Sequence, residues 1–282
     1  MFKNFRILLT ILFLGSTLLL ANGFQMLSLV IRPFSLKIFR RVNSIIADIW
    51  WGLCVRAGEY FYGIKIIVSG DEIPHNENTI VVLNHQSMTD ITTLLAYAKS
   101  KGRLGDLKWF VKDIIKYFPG VGWGMLFLDC LFIKRNWTED KKYIHKMFEK
   151  ILRYSIPLWL VSFVEGTRIR PSKLIQSQKY AQENGLPLLK HLLLPRTKGF
   201  VASVQALRPH LQAVYDMTVG YVQEVPTLWQ WIRGDVRKVF IHVRRFPINA
   251  LPQEESDLSQ WLMDLFVKKD KLLDQFYKNG SF

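Results

Sequence analysis

A histidine and an aspartate five residues apart form the first pair in this chain whose types and spacing suit acid–base chemistry. His85 closely follows the apolar run TIVVL, and Asp90 begins the next helical stretch. This spacing allows the carboxylate to hold one imidazole nitrogen while the other accepts a proton, as the base and its orienting acid do in a hydrolytic triad. The spacing alone is weak evidence, because chance supplies about 0.3 such pairs in a chain of this composition.

The third member of such a triad is missing from the sequence. No G-x-S-x-G segment follows a strand-like run, and neither Cys54 nor Cys130 lies in a polar setting. Ser87 is a conceivable nucleophile, but it lies two residues from His85 on a tight turn. A histidine and an aspartate without a nucleophile suit a reaction in which the substrate brings one, such as an alcohol attacking an activated ester.

Cationic side chains follow other strand-like runs. The run LWLVSFV leads into Glu165-Gly166-Thr167-Arg168, where Gly166 permits close backbone approach and Arg168 offers a planar fork suited to phosphate. Lys112 and the pair Lys134-Arg135 lie between the two segments. Each cation alone is typical of a solvated surface charge. Because ligands of open α/β sheets bind at the carboxyl ends of strands, we predict that these cations converge on one anionic headgroup.

Short β-like runs alternate with longer helical ones from about residue 61 onward. The predicted strands are rich in β-branched and aromatic residues and comprise residues 64–68, 79–83, 158–164, 214–222 and 238–243. The predicted helices comprise residues 89–99, 138–154, 175–183 and 256–277. This alternation predicts one α/β domain over residues 61–282, with a mixed, largely parallel sheet flanked by helices.

The first 60 residues differ from the rest in charge and hydropathy. No charged residue occurs between Arg6 and Arg32. Residues 7–31 would form a helix about 37 Å long, which exceeds a hydrocarbon core of about 30 Å. A cleaved signal peptide is the alternative, but Ala21-Asn22-Gly23 is a poor cleavage site and the apolar run continues beyond it. We therefore predict a retained membrane anchor.

Basic residues and a second apolar stretch follow this anchor. The first acidic residue is Asp48, and before it four basic residues come just after the apolar run, namely Arg32, Lys37, Arg40 and Arg41. This asymmetry predicts a body on the cytoplasmic side, beside an anionic leaflet. Residues 45–55 are too short to span a bilayer. Trp50 and Trp51 favour an interfacial or re-entrant helix, and an ordinary core helix is the alternative. Residues 1–60 are thus predicted to form an anchor with an interfacial helix.

Composition narrows the classes of partner. The 282 residues carry a formal net charge of +15 and are 49% hydrophobic, so the chain is apolar enough to fold and basic enough to bind an anionic surface. Two cysteines in a chain this long predict reduced thiols. A nucleic acid is the rival partner, but no recognition-helix or zinc spacing occurs and the basic residues are spread along the chain. We predict a membrane partner, no nucleic acid and no metal.

Four short motifs occur in order along the chain. The first, N-H-x4-D, comprises Asn84, His85 and Asp90, the third, F-x-E-G-T-R, comprises Phe163 and residues 165–168, and the fourth, a proline-containing strand start, falls at residues 194–199. The second is a lysine-bearing stretch with P-x-x-G-W and F-I-x-R, and comprises Lys112, Pro119, Gly122, Trp123, Phe132, Ile133 and Arg135. Together they resemble the motifs of the 1-acylglycerol-3-phosphate acyltransferase family, within the glycerolipid acyltransferase superfamily.

The resemblance implies an acyl transfer without a cofactor. His85 would deprotonate a glycerol hydroxyl, Asp90 would hold the imidazole, and the alkoxide would attack an acyl thioester of coenzyme A or of acyl-carrier protein. The implied fold is a mixed α/β sheet with an N-terminal helical pair embedded in one leaflet. The substrate-binding residues that the resemblance implies are Lys112, Arg135, Glu165, Gly166, Thr167 and Arg168.

The implied acceptor is 1-acylglycerol-3-phosphate, whose acylation forms phosphatidic acid. The fourth motif, LLPRTKGF, is longer than the V-P-V/I form of many bacterial-type members. This longer form is similar to a branch whose members differ in headgroup preference. Another lysophospholipid, such as lysophosphatidylinositol, is therefore the alternative acceptor.

Overall fold

A seven-stranded sheet forms the centre of the computed structural model, which describes residues 2–134 and 136–282. The strands are β1 (Lys65–Gly70), β2 (Thr79–Leu83), β3 (Leu107–Lys112), β4 (Leu131–Ile133), β5 (Trp159–Ser162), β6 (Ala213–Gly220) and β7 (Lys238–Pro247). They lie in the order β1-β7-β6-β2-β5-β3-β4. Neighbours are parallel except β6 and β7, so β1 and β7 run opposite to the other five. The predicted mixed, largely parallel sheet is confirmed.

Helices cover both faces of this sheet. They are α1 (Phe2–Leu27), α2 (Leu36–Arg56), α3 (Thr89–Ser100), α4 (Val121–Phe127), α5 (Trp137–Arg153), α6 (Pro171–Glu183), α7 (Thr197–Leu207), α8 (Leu228–Arg233) and α9 (Glu255–Asn279). One core lies beneath α2 and α3, and the other lies beneath α5, α7 and α9. The predicted α/β architecture therefore has a buried sheet between two helical layers.

The central strand β2 shows why a continuously apolar run was a reliable signal. All five of its residues are buried. Val81 and Leu83 join the core beneath α2 and α3, whereas Ile80 and Val82 join the opposite core. A strand covered on both faces needs apolar residues at every position, and each such side chain stabilises the fold by about 1.5–3 kcal/mol. This strand delivers the chain directly to His85.

Two strands of the sheet were not predicted from the sequence, and one segment was predicted wrongly. β3 carries lysines at two of its six positions and β4 has only three residues, so neither shows a clear apolar run. Residues 194–199, expected to start a strand, instead lead into α7 at Thr197. Phe200, Val201 and Val204 lie on the buried face of that helix, and this helical spacing overrides the proline-containing start.

Helix α1 is long and mostly exposed. The segment Phe5–Val30 has a mean hydropathy of 2.0, and only 22% of this apolar segment is buried. By length and composition this helix is able to cross a bilayer. Its inner side is joined to the rest of the chain through Asn22, whose Oδ1 accepts the backbone N–H of Gly120 at 2.9 Å. Helix α1 is therefore tied to the loop before α4 as well as to α2.

Helix α2 is longer than the predicted apolar stretch. Ser35 caps it by accepting the backbone N–H of Ile38 at 3.2 Å. Trp51 is buried in the core, and the indole of half-buried Trp50 donates to the carbonyl of Leu14 at 3.3 Å. Ile49, by contrast, is 60% exposed. Helix α2 thus has both a core face and an exposed apolar face, and a π-helical turn over residues 57–61 leads from it towards β1.

Candidate active site

The turn after β2 holds a histidine against a buried carboxylate. His85 Nδ1 lies 3.1 Å from Oδ2 of Asp90. The backbone N–H groups of Gln86 and Ser87 donate to the same oxygen at 2.7 and 2.8 Å. The Asp90 side chain is fully buried, whereas that of His85 is 13% exposed. The carboxylate thus organises the whole turn and leaves the imidazole edge accessible.

The hydrogen bond to Asp90 determines which imidazole nitrogen acts as a base. A carboxylate accepts a hydrogen bond from Nδ1–H, so the neutral ring carries its lone pair on Nε2. Within residues 2–134 and 136–282, Nε2 of His85 has no hydrogen-bond partner. The ring stacks on Phe163 with centroids 4.0 Å apart, and Phe163 in turn stacks on Trp109 at 6.2 Å. Stacking on Phe163 thus holds the imidazole from one face and leaves the ring edge that carries Nε2 open to a substrate.

A tyrosine and an asparagine complete the support of this turn. Tyr221 donates its hydroxyl to Oδ1 of Asp90 at 2.7 Å. Burial, together with the charge of Asp90, keeps the pKa of the Tyr221 phenol well above its usual range, so the phenol remains a donor. Asn84 exchanges two hydrogen bonds with the backbone of Val219, at 2.8 and 3.0 Å. Both contacts tie the end of β6 to the end of β2.

Glu165 fixes the position of His85 through the backbone. Its Oε1 accepts the N–H of His85 at 2.7 Å, and its Oε2 accepts the N–H of Leu193 at 2.9 Å. Burial raises the pKa of Glu165 to about 8, while the two N–H donors and Lys269 act in the opposite direction. Because each carboxyl oxygen accepts a backbone N–H from a different loop, this side chain holds the two loops together.

Gly166 is required by close approach as well as by backbone conformation. Its φ is +70°, and a Cβ there would meet Nε of Arg196 at 2.9 Å. The Arg196 backbone N–H also donates to the carbonyl of Val164 at 2.7 Å. The exposed guanidinium of Arg196 therefore lies over the turn that follows β5. Beyond its place in the fourth motif, no role of this arginine was predicted from the sequence.

Other potential nucleophiles are poorly suited to the role. Ser87 donates its hydroxyl to the carbonyl of Pro226 and accepts the backbone N–H of Thr89 at 3.3 Å. Burial raises the pKa of the Cys130 thiol to about 11. Cys54 and Cys130 are both free thiols, as the sequence predicted. The described site thus contains a base and its orienting acid, with no side chain activated for covalent catalysis.

Comparison with known proteins shows the family of this chain. The Acyltransferase family model matches residues 65–222, and the model for the acyltransferase C-terminus matches residues 230–282. The chain is 34% identical to the probable 1-acyl-sn-glycerol-3-phosphate acyltransferase 5 of Arabidopsis thaliana, over 94% of this chain and 72% of that protein. It is likewise 34% identical to 1-acyl-sn-glycerol-3-phosphate acyltransferase delta of Mus musculus, over 94% and 71%. The chain belongs to the 1-acylglycerol-3-phosphate acyltransferase family.

A solved structure supports the fold of this family member. The crystal structure of the 1-acyl-sn-glycerophosphate acyltransferase PlsC from Thermotoga maritima aligns with a TM-score of 0.58 at 18% identity. The alignment covers 96% of this chain and 98% of that one. The likeness therefore extends over the N-terminal helices as well as the sheet.

Two of the predicted cationic residues of this acyltransferase, Lys112 and Arg168, lie at the same edge of the sheet as His85. Lys112 ends β3, and half-buried Arg168 lies in the loop after β5. Because β2, β5 and β3 are adjacent and parallel, their carboxyl ends meet. Neither Lys112 nor Arg168 forms an ion pair with any carboxylate among the described residues. Lys134 pairs with Glu139 at 3.0 Å in solvent, and Arg135 lies outside the described residues.

The C-terminal helix α9 of this acyltransferase stabilises the two strands, β2 and β6, that lead to the site. Lys269 on α9 is fully buried and donates to the carbonyls of Met217 at 2.8 Å and Val82 at 3.3 Å. It also forms an ion pair with Asp216 at 2.6 Å. The next residue, Asp270, accepts the backbone N–H groups of Lys190 and His191 at 3.0 and 2.7 Å, shortly before Leu193. The sequence indicated only an amphipathic helix here, because none of these partners is local.

Proposed function

We propose that this family member transfers a fatty acyl chain from a thioester to the free hydroxyl of 1-acylglycerol-3-phosphate, which forms phosphatidic acid. The observation that carries the proposal is the His85–Asp90 pair with an unpartnered Nε2 and no activated nucleophile beside it. Such a site suits an acceptor that brings its own hydroxyl. The names of the Arabidopsis and mouse relatives support this acceptor.

The reaction begins when Nε2 of His85 removes the proton of the acceptor hydroxyl. The alkoxide oxygen then forms a bond to the thioester carbon, which becomes tetrahedral. Collapse of this intermediate breaks the carbon–sulfur bond, and the departing thiolate takes the proton from the imidazolium. Asp90, held by three further donors, stabilises the positive charge on the ring while it exists. No acyl-enzyme is needed, because the acceptor attacks directly.

The acceptor phosphate is assigned to the cations at the carboxyl ends of the strands. Arg168 provides a bidentate fork and Lys112 a point charge, and Arg135 is proposed to join them. Gly166 and Thr167 would bring the backbone turn close to the phosphate. Glu165 is proposed to position His85 from behind this pocket. The acyl donor is proposed to be acyl-CoA or an acyl-carrier protein, with no metal or cofactor taking part.

The substrates of this reaction are lipids, and helix α1 supports a site at a membrane. Its exposed apolar residues include Leu12, Leu19 and Leu20, each at least 59% exposed. The basic residues after the apolar run support a catalytic domain on the cytoplasmic side. Replacement of these three leucines by serine should release the protein from membranes in carbonate extraction, with activity retained in detergent. Unchanged membrane pelleting would show that α1 is not the anchor.

The decisive experiment is His85→Ala in the full chain, assayed in detergent with acyl-CoA and a panel of lysophospholipids. Loss of a general base lowers the rate by about 10²–10⁴-fold. His145→Ala is the matched control, because His145 lies on α5 with 69% of its side chain exposed. Wild-type turnover by folded His85→Ala would refute the mechanism. Preference for lysophosphatidylinositol over 1-acylglycerol-3-phosphate would keep the mechanism and replace the acceptor.

A further inference from the structure

A cavity lies at the amino ends of β4 and β5, away from His85. It is a groove of about 730 Å³ between α2, α4 and α5. Asp129, which lines it, precedes β4, and Arg153 and Tyr154 precede β5. His85 instead follows the carboxyl end of β2, and β5 and β3 lie between β2 and the edge strand β4. The groove is therefore separate from the proposed acyl-transfer site.

One wall of the groove is apolar. Leu36 and Phe39 contribute from α2, Phe127 from the end of α4, and Met147 from α5. The rings of Phe39 and Phe127 contact each other with centroids 6.2 Å apart. A strip of this kind, inside a cavity of several hundred cubic ångströms, has the size and the character of a site for an apolar chain.

The other wall is cationic. Asp129 is already neutralised by Arg40 at 3.0 Å and by Lys150 at 2.5 Å. Glu149, the remaining acidic residue that lines the groove, lies 3.4 Å from His145. Three further cations, Arg32, Lys146 and Arg153, have no carboxylate partner within residues 2–134 and 136–282. The groove thus offers positive charge that no described side chain neutralises.

The spacing of the cations on α5 places them along one side of the helix. Lys146, Lys150 and Arg153 are four and three residues apart, which is the spacing of neighbours on a helix surface. Ile144, Phe148 and Ile151 form the buried face of the same helix. Arg32 approaches from the segment between α1 and α2, so cations from two separate elements surround one cavity.

The mouth of the groove adjoins the exposed apolar junction of α1 and α2. Val30 and Phe34, in that junction, are 70% and 85% exposed, and Ile38 on α2 is 55% exposed. If α1 is embedded in a bilayer, as the proposed function holds, Arg32 lies at the level of the lipid headgroups in the same leaflet. The apolar wall, the unpaired cations and the position at the level of the lipid headgroups together suit an amphipathic anion.

We propose that this groove binds an anionic phospholipid of the host membrane, separately from the acyl acceptor. The phosphate lies among Arg32, Lys146 and Arg153, and one acyl chain lies along Phe39 and Met147. Charge-assisted hydrogen bonds to the phosphate supply specificity for an anionic headgroup, and the apolar wall distinguishes a lipid from a free anion. The membrane origin of this ligand rests on the proposed function, whereas the binding itself does not depend on acyl transfer.

The test uses the full chain in a neutral detergent, with binding followed by native mass spectrometry. The probes are dioctanoyl phosphatidylglycerol, dioctanoyl phosphatidylcholine and inorganic phosphate. The test variant is Lys146→Gln with Arg153→Gln. The control is Lys141→Gln with Lys142→Gln, which makes the same change in net charge at two exposed lysines of α5 outside the groove.

We expect phosphatidylglycerol to bind the wild type and the control equally, and the test variant at least about 100-fold more weakly, because two charge-assisted contacts are lost. Phosphatidylcholine and inorganic phosphate should bind weakly to all three. Equal weakening in the control, or no weakening in the test variant, would overturn the proposal. Equal binding of phosphatidylcholine would show that the groove recognises only apolar chains, and equal binding of inorganic phosphate would show that it recognises only an anion. Either result would overturn the proposal.

Activity of the same variants separates this inference from the proposed function. With acceptor dispersed in detergent, the Lys146→Gln, Arg153→Gln protein should retain the wild-type kcat, because neither residue lies near His85. Loss of lipid binding with retained kcat supports a separate site. A fall in kcat equal to the fall in binding would show that the groove belongs to the catalytic machinery, and would overturn the assignment of a second lipid site.

Discussion

Replacing Asp90 by asparagine isolates the charge of the carboxylate from its geometry. Oδ2 accepts from His85, Gln86 and Ser87, and a side-chain amide oxygen is able to take its place. The new amide nitrogen would then face Tyr221, whose hydroxyl is able to accept instead of donate. The imidazole therefore keeps its position, but the negative charge beside it is lost.

The magnitude of the rate effect follows from this lost charge. Proton abstraction creates an imidazolium about 4 Å from the carboxylate, and at an effective dielectric constant of about 20 the attraction is about 4 kcal/mol. Since about 1.4 kcal/mol is worth tenfold in rate, we expect Asp90→Asn to lower kcat by about 10³-fold. Weaker hydrogen bonds should lower the free energy of unfolding by about 2–4 kcal/mol, which leaves the protein folded.

The assay is steady-state transfer from acyl-CoA to 1-acylglycerol-3-phosphate, with folding checked by circular dichroism and thermal unfolding. Tyr221→Phe is the matched control, because it removes one donor to Asp90 and keeps the charge. We expect that control to lower kcat by about tenfold, and both variants to keep KM values near those of the wild type. A folded Asp90→Asn protein within tenfold of wild-type kcat would refute the role of the charge.

Three further predictions concern the supporting residues. Because burial raises the pKa of Glu165 from 4.5 to about 8, the folded protein retains a proton that the unfolded chain loses, so this group's contribution to stability falls between about pH 5 and pH 8. The Tm of Glu165→Gln relative to wild type should rise across that range, and a constant difference would contradict the shift. Lys269→Met should lower the free energy of unfolding, measured in denaturant, by about 3–5 kcal/mol. Lys268→Met is the control at an exposed neighbour and should have little effect. Equal effects of the two substitutions would refute the stabilising role of the buried Lys269 ammonium. Arg168→Lys should lower kcat/KM for the acceptor by about 10–150-fold with Arg170→Lys as control, and a change in donor KM instead would move Arg168 to the donor site.

Much of the candidate site was predictable because its residues follow strands that are evident locally. The run TIVVL predicted β2 at its observed bounds, and the base follows directly. The distance from Nδ1 of His85 to Asp90 was expected from a spacing of five residues and a helix start. The placement of Lys112 and Arg168 at one edge of the sheet was expected from parallel strand ends, and their convergence on one headgroup stays a prediction. In each instance the pattern lies within one short segment or follows from the sheet being parallel.

The other contacts that hold His85 and Asp90 in place could not be predicted, because they depend on strand order and register. Tyr221 lies 131 residues from Asp90 in the sequence, and only the pairing of β6 with β2 brings them together. The contacts of Lys269 require α9 to cross beneath both strands. Glu165 was expected to help shape the acceptor pocket, and the two backbone donors that its oxygens accept from other loops could not be predicted.

The amino-acid sequence by itself determined the apolar N-terminal helix, the α/β alternation and the histidine–aspartate pair. Each depends on short-range patterns, namely a run without charge, a periodicity of apolar residues and a fixed local spacing. Tertiary structure alone decided which groups hold the base, which cations remain unpaired and where a second groove lies between α2 and α5. These features depend on contacts between segments far apart in the chain, and such contacts exist only after the sheet has assembled and buried its polar partners.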